Sequence, residues 1–373
     1  MFENYKVPQE LIPSDPRFGC GPSLVPMAFY EKLLATGNHL IGTSHRKAPI
    51  KNLVKEAQEG IRKYFKVPAD YSIVLGNGGA TYLFDAIGLG LVNKKVAHFT
   101  CGEFSEKWYK SSKLIPWIQA EQFSVMYGEG IMGRDVADAD LICVTLNETS
   151  TGVQLPELPK VHEGALLAVD ATSGAGQVPC DISKTDIFFF SPQKVFASEG
   201  GLWIAIMSPK ARARALAIAE DKKRYVPGIM NWFQAIDNSD KNQTYNTPAI
   251  TSIWLLNEQT KLMNEFGGYD KVIALAQKKA NLLYGWAEQK PYLSCYIKEE
   301  KYRSTAVACI DVDDKYKMED LCKVLEKAKV VYGIDAYRNL GRNQLRISLF
   351  HNIKFEDLEK LTKLVSQAIE NEK

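Results

Sequence analysis

The amino-acid sequence predicts an α/β fold: a large domain around an open, mainly parallel sheet, followed by a smaller α+β domain. Short continuous apolar runs recur along residues 71–207, and strands without polar alternation are typical of a sheet covered on both faces. The character changes at the polar loop "NSDKNQTYNTPAI" (238–250). Helical and strand patterns of a different kind follow that loop, which indicates a second unit.

The patterns of the first 207 residues fit the large sheet. Residues 50–66 place apolar side chains at helical spacing. A glycine-rich turn, "GNGG" (76–79), follows the first predicted strand and leads into a helical run from Thr81. The predicted strands are "YSIVL" (71–75), "KVAHFT" (95–100), "ADLICVTL" (139–146), "GALLAVD" (164–170), "DIFFFS" (186–191) and "GLWIAIM" (201–207).

The C-terminal part predicts a smaller domain. A long helical pattern runs from about 249 to 288, and the tail then alternates strand and helix. Its segments are "TAVACIDV" (305–312), "MEDLCKVLEKAKV" (318–330), "QLRISLF" (344–350) and "FEDLEKLTKLVSQAIENEK" (355–373). We therefore divide the chain into an N-terminal arm (1–16), a large domain (17–260) and a small C-terminal domain (261–373).

Composition excludes several classes of function. The net charge of +2 gives no argument for nucleic acid or a membrane surface, and no apolar stretch approaches the ~20 residues that span a bilayer. The N-terminus is polar and lacks the apolar core of a signal peptide. The seven cysteines are scattered without a CxxC pair, which favours reduced thiols over disulfides or a metal site. We expect a cytoplasmic protein that binds no metal.

Chemically active side chains follow three successive predicted strands. The strand "LICVTL" ends in Asn147-Glu148-Thr149, "ALLAV" ends in Asp170, and "IFFF" is followed by Ser191-Pro192-Gln193-Lys194. Ligands of open α/β sheets bind beyond the carboxyl ends of the strands. The glycine turn before Thr81 adds a helix start, where free N–H groups and the helix dipole attract an anion.

Pyridoxal phosphate uses all four of these features. It needs a lysine for a Schiff base, a carboxylate at its ring nitrogen, a hydroxyl near its phenolic oxygen and a cradle for its phosphate. Lys194 suits the first task because its apolar flanks lower the pKa of the ammonium group. Asp170 suits the second and Thr149 the third, and residues 78–81 suit the fourth.

Each feature has a simpler explanation when taken alone. A lysine after a strand is usually a surface residue, an aspartate there is often a helix N-cap, and a glycine turn is frequently only a turn. The combination and its order favour the cofactor. A dinucleotide is the weaker alternative: Glu103 lies at a tolerable distance to bind a ribose, but "GNGGAT" lacks the third glycine of the fingerprint. No P-loop motif occurs.

The sequence resembles the phosphoserine aminotransferases, which are fold type I, class V pyridoxal-phosphate enzymes. The similarity covers roughly residues 17–350. The motifs that carry it are "FGCGPSLVP", "GTSHRKAP", "GNGGAT", "LNETSTGV", "VDATSGAG", "SPQK", "TYNTPAI" and "GRNQLRIS".

The resemblance implies a role for each matching residue. Lys194 would form the Schiff base, Asp170 would pair with the pyridinium nitrogen, and Thr149 would donate its hydroxyl beside the ring. The phosphate would be held by Gln193, by the backbone of Gly79 and Ala80 with Thr81, and by Asn246 and Thr247 from the other subunit of an obligate homodimer with shared active sites.

Two positions depart from the family pattern. Phe104 stands where many members have a tryptophan stacked on the ring, and Trp108 is a nearby substitute. Ala80 stands where some members have an arginine, so that the cradle depends on backbone N–H groups, Thr81 and the helix dipole.

The resemblance also implies the substrate contacts. Arg346 matches the clamp for the α-carboxylate, and arginine offers a bidentate fork for such groups. His45 and Arg46 match the pair that holds a substrate phosphate, contributed by the partner subunit. Without the family, His45 reads as a structural loop histidine and Arg346 as a surface arginine.

The implied reaction is a ping-pong amino transfer of serine biosynthesis. L-Glutamate and 3-phosphonooxypyruvate would give 2-oxoglutarate and O-phospho-L-serine, with Lys194 as the proton carrier. 4-Phosphohydroxy-L-threonine, of pyridoxine biosynthesis, is left open as a further substrate.

Three alternatives remain. Another class V aminotransferase acting on serine or alanine would need no phosphate site. A cysteine desulfurase would need a cysteine on a mobile loop. A catalytically silent binding protein would not need Lys194 with all its partners.

Overall fold

The described chain folds into a seven-stranded sheet, a three-stranded sheet and a short two-stranded sheet, with helices packed around them. The computed structural model describes residues 1–3 and 5–372. The strands are β1 (Ser72–Asn77), β2 (Lys95–Thr100), β3 (Gln119–Ser124), β4 (Leu141–Thr145), β5 (Asn147–Glu148), β6 (Val153–Gln154), β7 (Leu166–Asp170), β8 (Ile187–Phe190), β9 (Leu202–Met207), β10 (Leu293–Cys295), β11 (Val307–Val312) and β12 (Gln344–Ser348). The helices are α1 (Met27–Ala35), α2 (Ala48–Phe65), α3 (Ala80–Leu91), α4 (Glu103–Lys113), α5 (Pro209–Glu220), α6 (Trp232–Asp240), α7 (Ile250–Glu265), α8 (Gly268–Gln289), α9 (Met318–Lys327) and α10 (Phe355–Asn371).

The large sheet has seven strands in the order β1-β9-β8-β7-β4-β2-β3. Strand β9 runs antiparallel to both of its neighbours, and the other strands are parallel to one another. The carboxyl ends of β1, β4, β7 and β8 therefore meet at one edge of the sheet. The predicted mainly parallel α/β sheet is confirmed.

The phenylalanine run of β8 shows why the central strands could be predicted from the sequence. Phe188 and Phe190 belong to the hydrophobic core on one face of the sheet, and Phe189 belongs to the core on the other face. All three side chains are fully buried. A strand buried on both faces has no polar positions, which is why the run is unbroken.

The structure differs from the prediction at an edge strand and in the long helical pattern. Strand β3 was not predicted, because this edge strand is only partly buried and its sequence "QAEQFS" lacks an apolar run. The helical pattern from 249 to 288 is two helices, α7 and α8, separated at Phe266-Gly267. Gly267 has a φ of 119°, a conformation that favours glycine and ends the first helix.

The second sheet is antiparallel and has the order β10-β11-β12. One face, with Ala308 and Ile310 of β11, packs into a separate hydrophobic core with α8, α9 and α10. The N-terminal arm packs against this unit through Phe2, which is buried in the same core. The segment after the arm does so too, because Phe18 is buried there and Ser348 N–H donates to the Phe18 carbonyl. Arg346 lies on the opposite face of β12, opposite Cys309 of β11.

Features of other functional classes are missing from residues 1–3 and 5–372. None of the helices in these ranges combines the length and the hydrophobicity that crossing a bilayer requires. The same ranges contain no cluster of three or more histidine, cysteine, aspartate or glutamate side chains arranged for a metal ion. All seven cysteines are free thiols.

Candidate active site

A cavity of about 400 Å³ lies at the edge where the carboxyl ends of the parallel strands meet. Elements far apart in the sequence form its wall: the segment after the N-terminal arm, the start of α3, the start of α4, and the loops after β4, β7 and β8. The cavity brings together most of the predicted cofactor residues, namely Gly79, Ala80, Thr81, Phe104, Thr149, Asp170, Gln193 and Lys194.

Lys194 points into this cavity and is held by the segment that follows the N-terminal arm. Its Nζ donates to the carbonyl of Cys20 over 2.8 Å. Ser23 fixes the backbone of the lysine loop, since its Oγ donates to the Lys194 carbonyl over 2.5 Å and its N–H donates to the Gln193 carbonyl over 2.9 Å. Burial, assisted by the charge of Arg346, lowers the pKa of Lys194 to about 8. The direction of this shift agrees with the one expected from the apolar flanks.

Gly21 makes room for the lysine side chain. A Cβ atom at this position would lie 2.3 Å from Lys194 Nζ, and Gly21 has a φ of +131°. Only glycine meets both requirements without displacing the amine. This role of Gly21 was not predicted, although Gly21 lies in the motif "FGCGPSLVP".

Asp170 ends β7 and has a carboxylate that is only partly engaged. It is 3% exposed. Its Oδ1 accepts from Thr172 N–H over 2.9 Å and from Thr172 Oγ1 over 2.5 Å, whereas Oδ2 has no hydrogen-bond partner within residues 1–3 and 5–372. Burial raises the pKa of Asp170 to about 6 against the opposing effect of Thr172, so that the group is mostly ionised at neutral pH. Thr172 was not predicted; the signal was a threonine two residues after an aspartate, the spacing of an Asx turn.

The glycine turn places a helix N-terminus at the cavity. Gly78 has a φ of 125°, and α3 begins at Ala80 with Gly79 as its N-cap. This cap has no side chain to accept a hydrogen bond. The first N–H groups of α3 are therefore available to an anion, whose charge the helix dipole favours.

Phe104 lines the cavity, as does Phe84, whereas Trp108 does not. The Phe104 ring lies with its centroid 5.9 Å from Lys194 Nζ. Trp108, one helical turn further along α4, is 1% exposed and packs between Phe84 and Phe189 in the core beneath the sheet. The substitute that the sequence left open is thus directed away from the cavity.

Arg346 approaches the cavity from the second sheet. Its Nη1 donates to the Thr149 carbonyl over 3.3 Å. Its guanidinium carbon lies 5.1 Å from the ring centroid of Tyr337, which in turn contacts Phe104 edge-on at 6.0 Å. Arg346 Nε is buried and has no partner in the described chain. Tyr337 was not predicted, because nothing in its local sequence distinguishes it from other half-buried tyrosines.

Four further predicted residues, like Arg346, are not part of the cavity wall. Arg46, Asn246 and Thr247 are exposed, and His45 is half-buried with an Nε2 that has no partner among the described residues. Burial and the neighbouring Arg46 lower the pKa of His45. Arg46 Nη1 donates over 2.6 Å to Gln243, which precedes the loop of Asn246 and Thr247. The side chain of Arg46 thus contacts the segment that leads to Asn246 and Thr247.

Comparison with known proteins decides the family. Residues 134–361 match the family model of the class-V aminotransferases. The phosphoserine aminotransferase of Corynebacterium glutamicum (strain R) is 45% identical over 359 residues, which cover 95% of this chain and 95% of that protein. The chain belongs to the phosphoserine aminotransferase family. The resemblance predicted from the sequence motifs is confirmed.

Solved structures of the family share this fold. The phosphoserine aminotransferase of Cytophaga hutchinsonii superposes with a TM-score of 0.85 and 25% identity, covering 95% of this chain and 99% of that one. The PLP-bound phosphoserine aminotransferase of Trichomonas vaginalis superposes with a TM-score of 0.80 and 22% identity, covering 94% of this chain and 99% of that one.

The residues around the cavity fit pyridoxal phosphate. The cavity combines an amine of lowered pKa on Lys194, a carboxylate oxygen of Asp170 without a partner, and an uncapped helix N-terminus at Gly79. These groups match the aldehyde carbon, the ring nitrogen and the phosphate of this cofactor in chemical type.

Proposed function

We propose that the protein is a pyridoxal-phosphate-dependent phosphoserine aminotransferase of serine biosynthesis. It transfers the amino group of L-glutamate to 3-phosphonooxypyruvate, giving 2-oxoglutarate and O-phospho-L-serine, and catalyses the reverse reaction. The observation that carries this proposal is that Lys194, Asp170 and the N-terminus of α3 meet in one cavity. They do so in a chain that is 45% identical to a phosphoserine aminotransferase over nearly its whole length.

Some residues of the cavity would hold the cofactor in place, and others would activate it. When bound, pyridoxal phosphate supplies an electron-accepting ring conjugated to the substrate amine. Asp170 would pair with the ring nitrogen and favour its protonated form, and Phe104 would pack against the ring. The first N–H groups of α3, with Gln193, would hold the phosphate. Thr149 would donate its hydroxyl to the cofactor.

Lys194 is the acid–base group of the reaction. With a pKa of about 8, a useful fraction of its side chain is the neutral amine at neutral pH. Lys194 Nζ removes the proton at the substrate Cα and later returns one. Arg346 binds the α-carboxylate and thereby orients Cα toward this amine. The partnerless Nε of Arg346 supports that role.

The substrate phosphate requires a second subunit. We propose a homodimer in which His45 and Arg46 of one protomer bind the phosphate at the cavity of the other, and Asn246 and Thr247 contact the cofactor phosphate there. The support is that these residues lie outside the wall of their own cavity, and that Arg46, Asn246 and Thr247 are exposed, as is Tyr245.

Two finer features belong to the same proposal. The chain divides into a large domain (17–260) and a small domain (261–373), and the separate hydrophobic core of the second sheet supports this division. The protein acts in the cytoplasm, which the seven free thiols support.

An absorbance spectrum tests the function directly. The purified protein with pyridoxal phosphate should show the yellow band of a lysine-bound cofactor, and O-phospho-L-serine should convert it to the band of the aminated cofactor. L-Alanine is the control and should leave the yellow band largely unchanged. Equal conversion by alanine would remove the phosphate specificity, and absence of any yellow band would remove the cofactor assignment.

A mixture of two inactive variants tests the shared site. Lys194→Ala and Arg46→Ala homodimers each lack a group that every site needs. After random reassociation, half of the dimers are hybrids with one intact site, so that activity should return to about a quarter of the wild-type value. No recovery, with hybrid formation verified by mass spectrometry, would contradict the proposal that Arg46 acts across the interface.

A further inference from the structure

Glu148 is a fully buried carboxylate for which the proposed function has no use. It lies on the short strand β5 with a side chain that is 0% exposed. Its Oε2 accepts from Ser105 N–H and from Ser105 Oγ, each over 2.9 Å, and its Oε1 accepts from Phe104 N–H over 3.3 Å. Ser150 completes the set, because its Oγ donates to Oε1 over 2.7 Å. A buried charge with this many donors is an organised feature, since an unpaired one would be strongly destabilising.

Through these contacts the side chain of Glu148 caps the N-terminus of α4, a helix that is distant in the sequence. The N-cap position of α4 is Gly102, which has no side chain with which to cap the helix. A Cβ atom at Gly102 would lie 2.4 Å from Glu148 Cγ. The carboxylate thus occupies the space of the missing cap, where N–H donors and the helix dipole both favour a negative charge.

The capped turn carries an aromatic residue of the active site. Phe104 is the second residue of α4, and its backbone N–H is bonded to the carboxylate of Glu148. Thr149 follows Glu148 in the sequence and lines the same cavity. The buried Glu148 therefore connects Phe104 and Thr149, which lie on two walls of the cavity.

We propose that Glu148 is a positioning residue of the active site: its carboxylate fixes the first turn of α4 and so holds the Phe104 ring against the bound cofactor. The proposal rests on the proposed function, because it assumes that pyridoxal phosphate occupies the cavity beside Phe104.

The charge of Glu148 gives a second, independent signal. Glu148 contributes to raising the pKa of Asp170 and works against the burial that lowers the pKa of Lys194. Arg346 is a further charged group that acts on Lys194, where it lowers the pKa of the amine. Removing the negative charge at position 148 should therefore lower the pKa of the lysine-bound cofactor, which an absorbance titration measures.

A double-mutant cycle of Glu148→Gln and Phe104→Ala tests the proposal. The glutamine turns one acceptor oxygen into an NH₂ group facing N–H donors. Glu148→Gln should weaken pyridoxal phosphate binding about tenfold, as expected for the loss of a hydrogen bond to a charged group. It should also reduce the visible circular dichroism of the bound cofactor. In the Phe104→Ala background the same substitution should have little further effect on binding, because the ring through which it acts is gone.

Ser208→Ala is the matched control, since Ser208 caps α5 at the opposite edge of the sheet by accepting from Ala211 N–H over 3.1 Å. It should lower the unfolding temperature without changing the circular dichroism of the cofactor. Additive effects of Glu148→Gln and Phe104→Ala on binding, or unchanged binding and circular dichroism in Glu148→Gln, would overturn the proposal.

Two further measurements keep the outcomes distinct. If Glu148→Gln does not fold, Glu148→Asp replaces it in the cycle; it keeps the charge, shortens the reach and should show a smaller effect of the same kind. Wild-type protein that fails to bind pyridoxal phosphate would refute the proposed function itself, whereas normal binding by both wild-type and Glu148→Gln protein would refute the role of Glu148 alone.

Discussion

Lys194 and Lys279 are two buried lysines in very different surroundings. Burial lowers the pKa of Lys194 to about 8 and that of Lys279 to about 7. Lys279 lies on α8, is 1% exposed, and donates to the carbonyls of Phe350 and His351 over 2.8 and 3.1 Å. Lys194 donates to one carbonyl and faces a cavity of about 400 Å³.

The comparison shows that a lowered pKa does not by itself make a reactive amine. Lys279 ties α8 to the turn after β12, and its side chain is almost completely buried. Lys194 shares its cavity with the buried carboxylate of Asp170 and with an open helix N-terminus. We infer that reactivity depends on the cavity and the charged groups around the amine, and that the lowered pKa only makes the neutral form available.

Removal of each amine should separate the two lysines most strongly. We expect Lys194→Ala to lower turnover about 10⁴-fold or more, because the acid–base group is lost together with its covalent role. Lys279→Met, which keeps the volume of the side chain, should leave turnover within a few-fold of wild type. Single-turnover rates with O-phospho-L-serine measure both variants. Comparable losses in the two would mean that Lys279 also takes part in the chemistry.

The carboxylate partner gives the next largest effect. Asp170→Asn keeps the shape of the side chain but removes the charge that would face the ring nitrogen, so that turnover should fall about 10²–10³-fold. Asp186→Asn is the matched control. Asp186 lies at the amino end of β8 and accepts from Leu167 N–H over 2.9 Å, so that its loss should affect stability more than turnover. Equal turnover of Asp170→Asn and wild type would contradict the assigned partner.

The space around the amine can be tested without touching any charged group. Gly21→Ala places a methyl group where Lys194 Nζ now lies. We expect turnover to fall about tenfold to 10²-fold, since displacing a reacting group by about 1 Å has that cost. Gly37→Ala is the control for backbone strain alone, because Gly37 also has a positive φ, of +59°, but nothing within 4 Å of the added carbon. A similar loss in both variants would assign the effect to strain.

The two lysines also show which features could be predicted from the sequence and which could not. The fold class was predictable because strands that are buried on both faces consist of continuous apolar residues. The position of Lys194 was predictable because ligands of such sheets bind at the carboxyl ends of the strands. Lys279 lies in "AQKKAN", a polar pattern that is typical of the solvent-exposed face of a helix. Its burial depends on how the C-terminal elements pack.

Long-range contacts account for the other omissions. Gly21 and Lys194 are 173 positions apart in the numbering, and Glu148 contacts a helix that begins at Glu103. No local pattern reports such a contact. The family motifs gave the positions of His45 and Arg46, but their exposure in the protomer became apparent only in three dimensions.

The smallest effect concerns stability, and here Lys279 should be the more sensitive of the two lysines. Its folded-state pKa of about 7 lies well below that of a lysine in the unfolded chain. Between these values the unfolded state binds more protons than the folded state, so that stability rises with pH. From pH 7 to pH 8 this group should add about 1 kcal/mol to the free energy of unfolding. Lys194, with its higher pKa, contributes mainly above pH 8.

Urea unfolding of the cofactor-free protein at pH 7 and pH 8 measures this difference. Lys279→Met should flatten the rise in the unfolding midpoint, because no amine remains at that position to be protonated on unfolding. The adjacent Lys278→Met is the matched control: Lys278 is exposed, with its Nζ 4.1 Å from the ring centroid of Phe355, and its loss should leave the pH dependence intact. If Lys279→Met retains the full rise, the burial of Lys279 does not lower its pKa in solution. The two lysines would then differ in their electrostatics as well as in their surroundings.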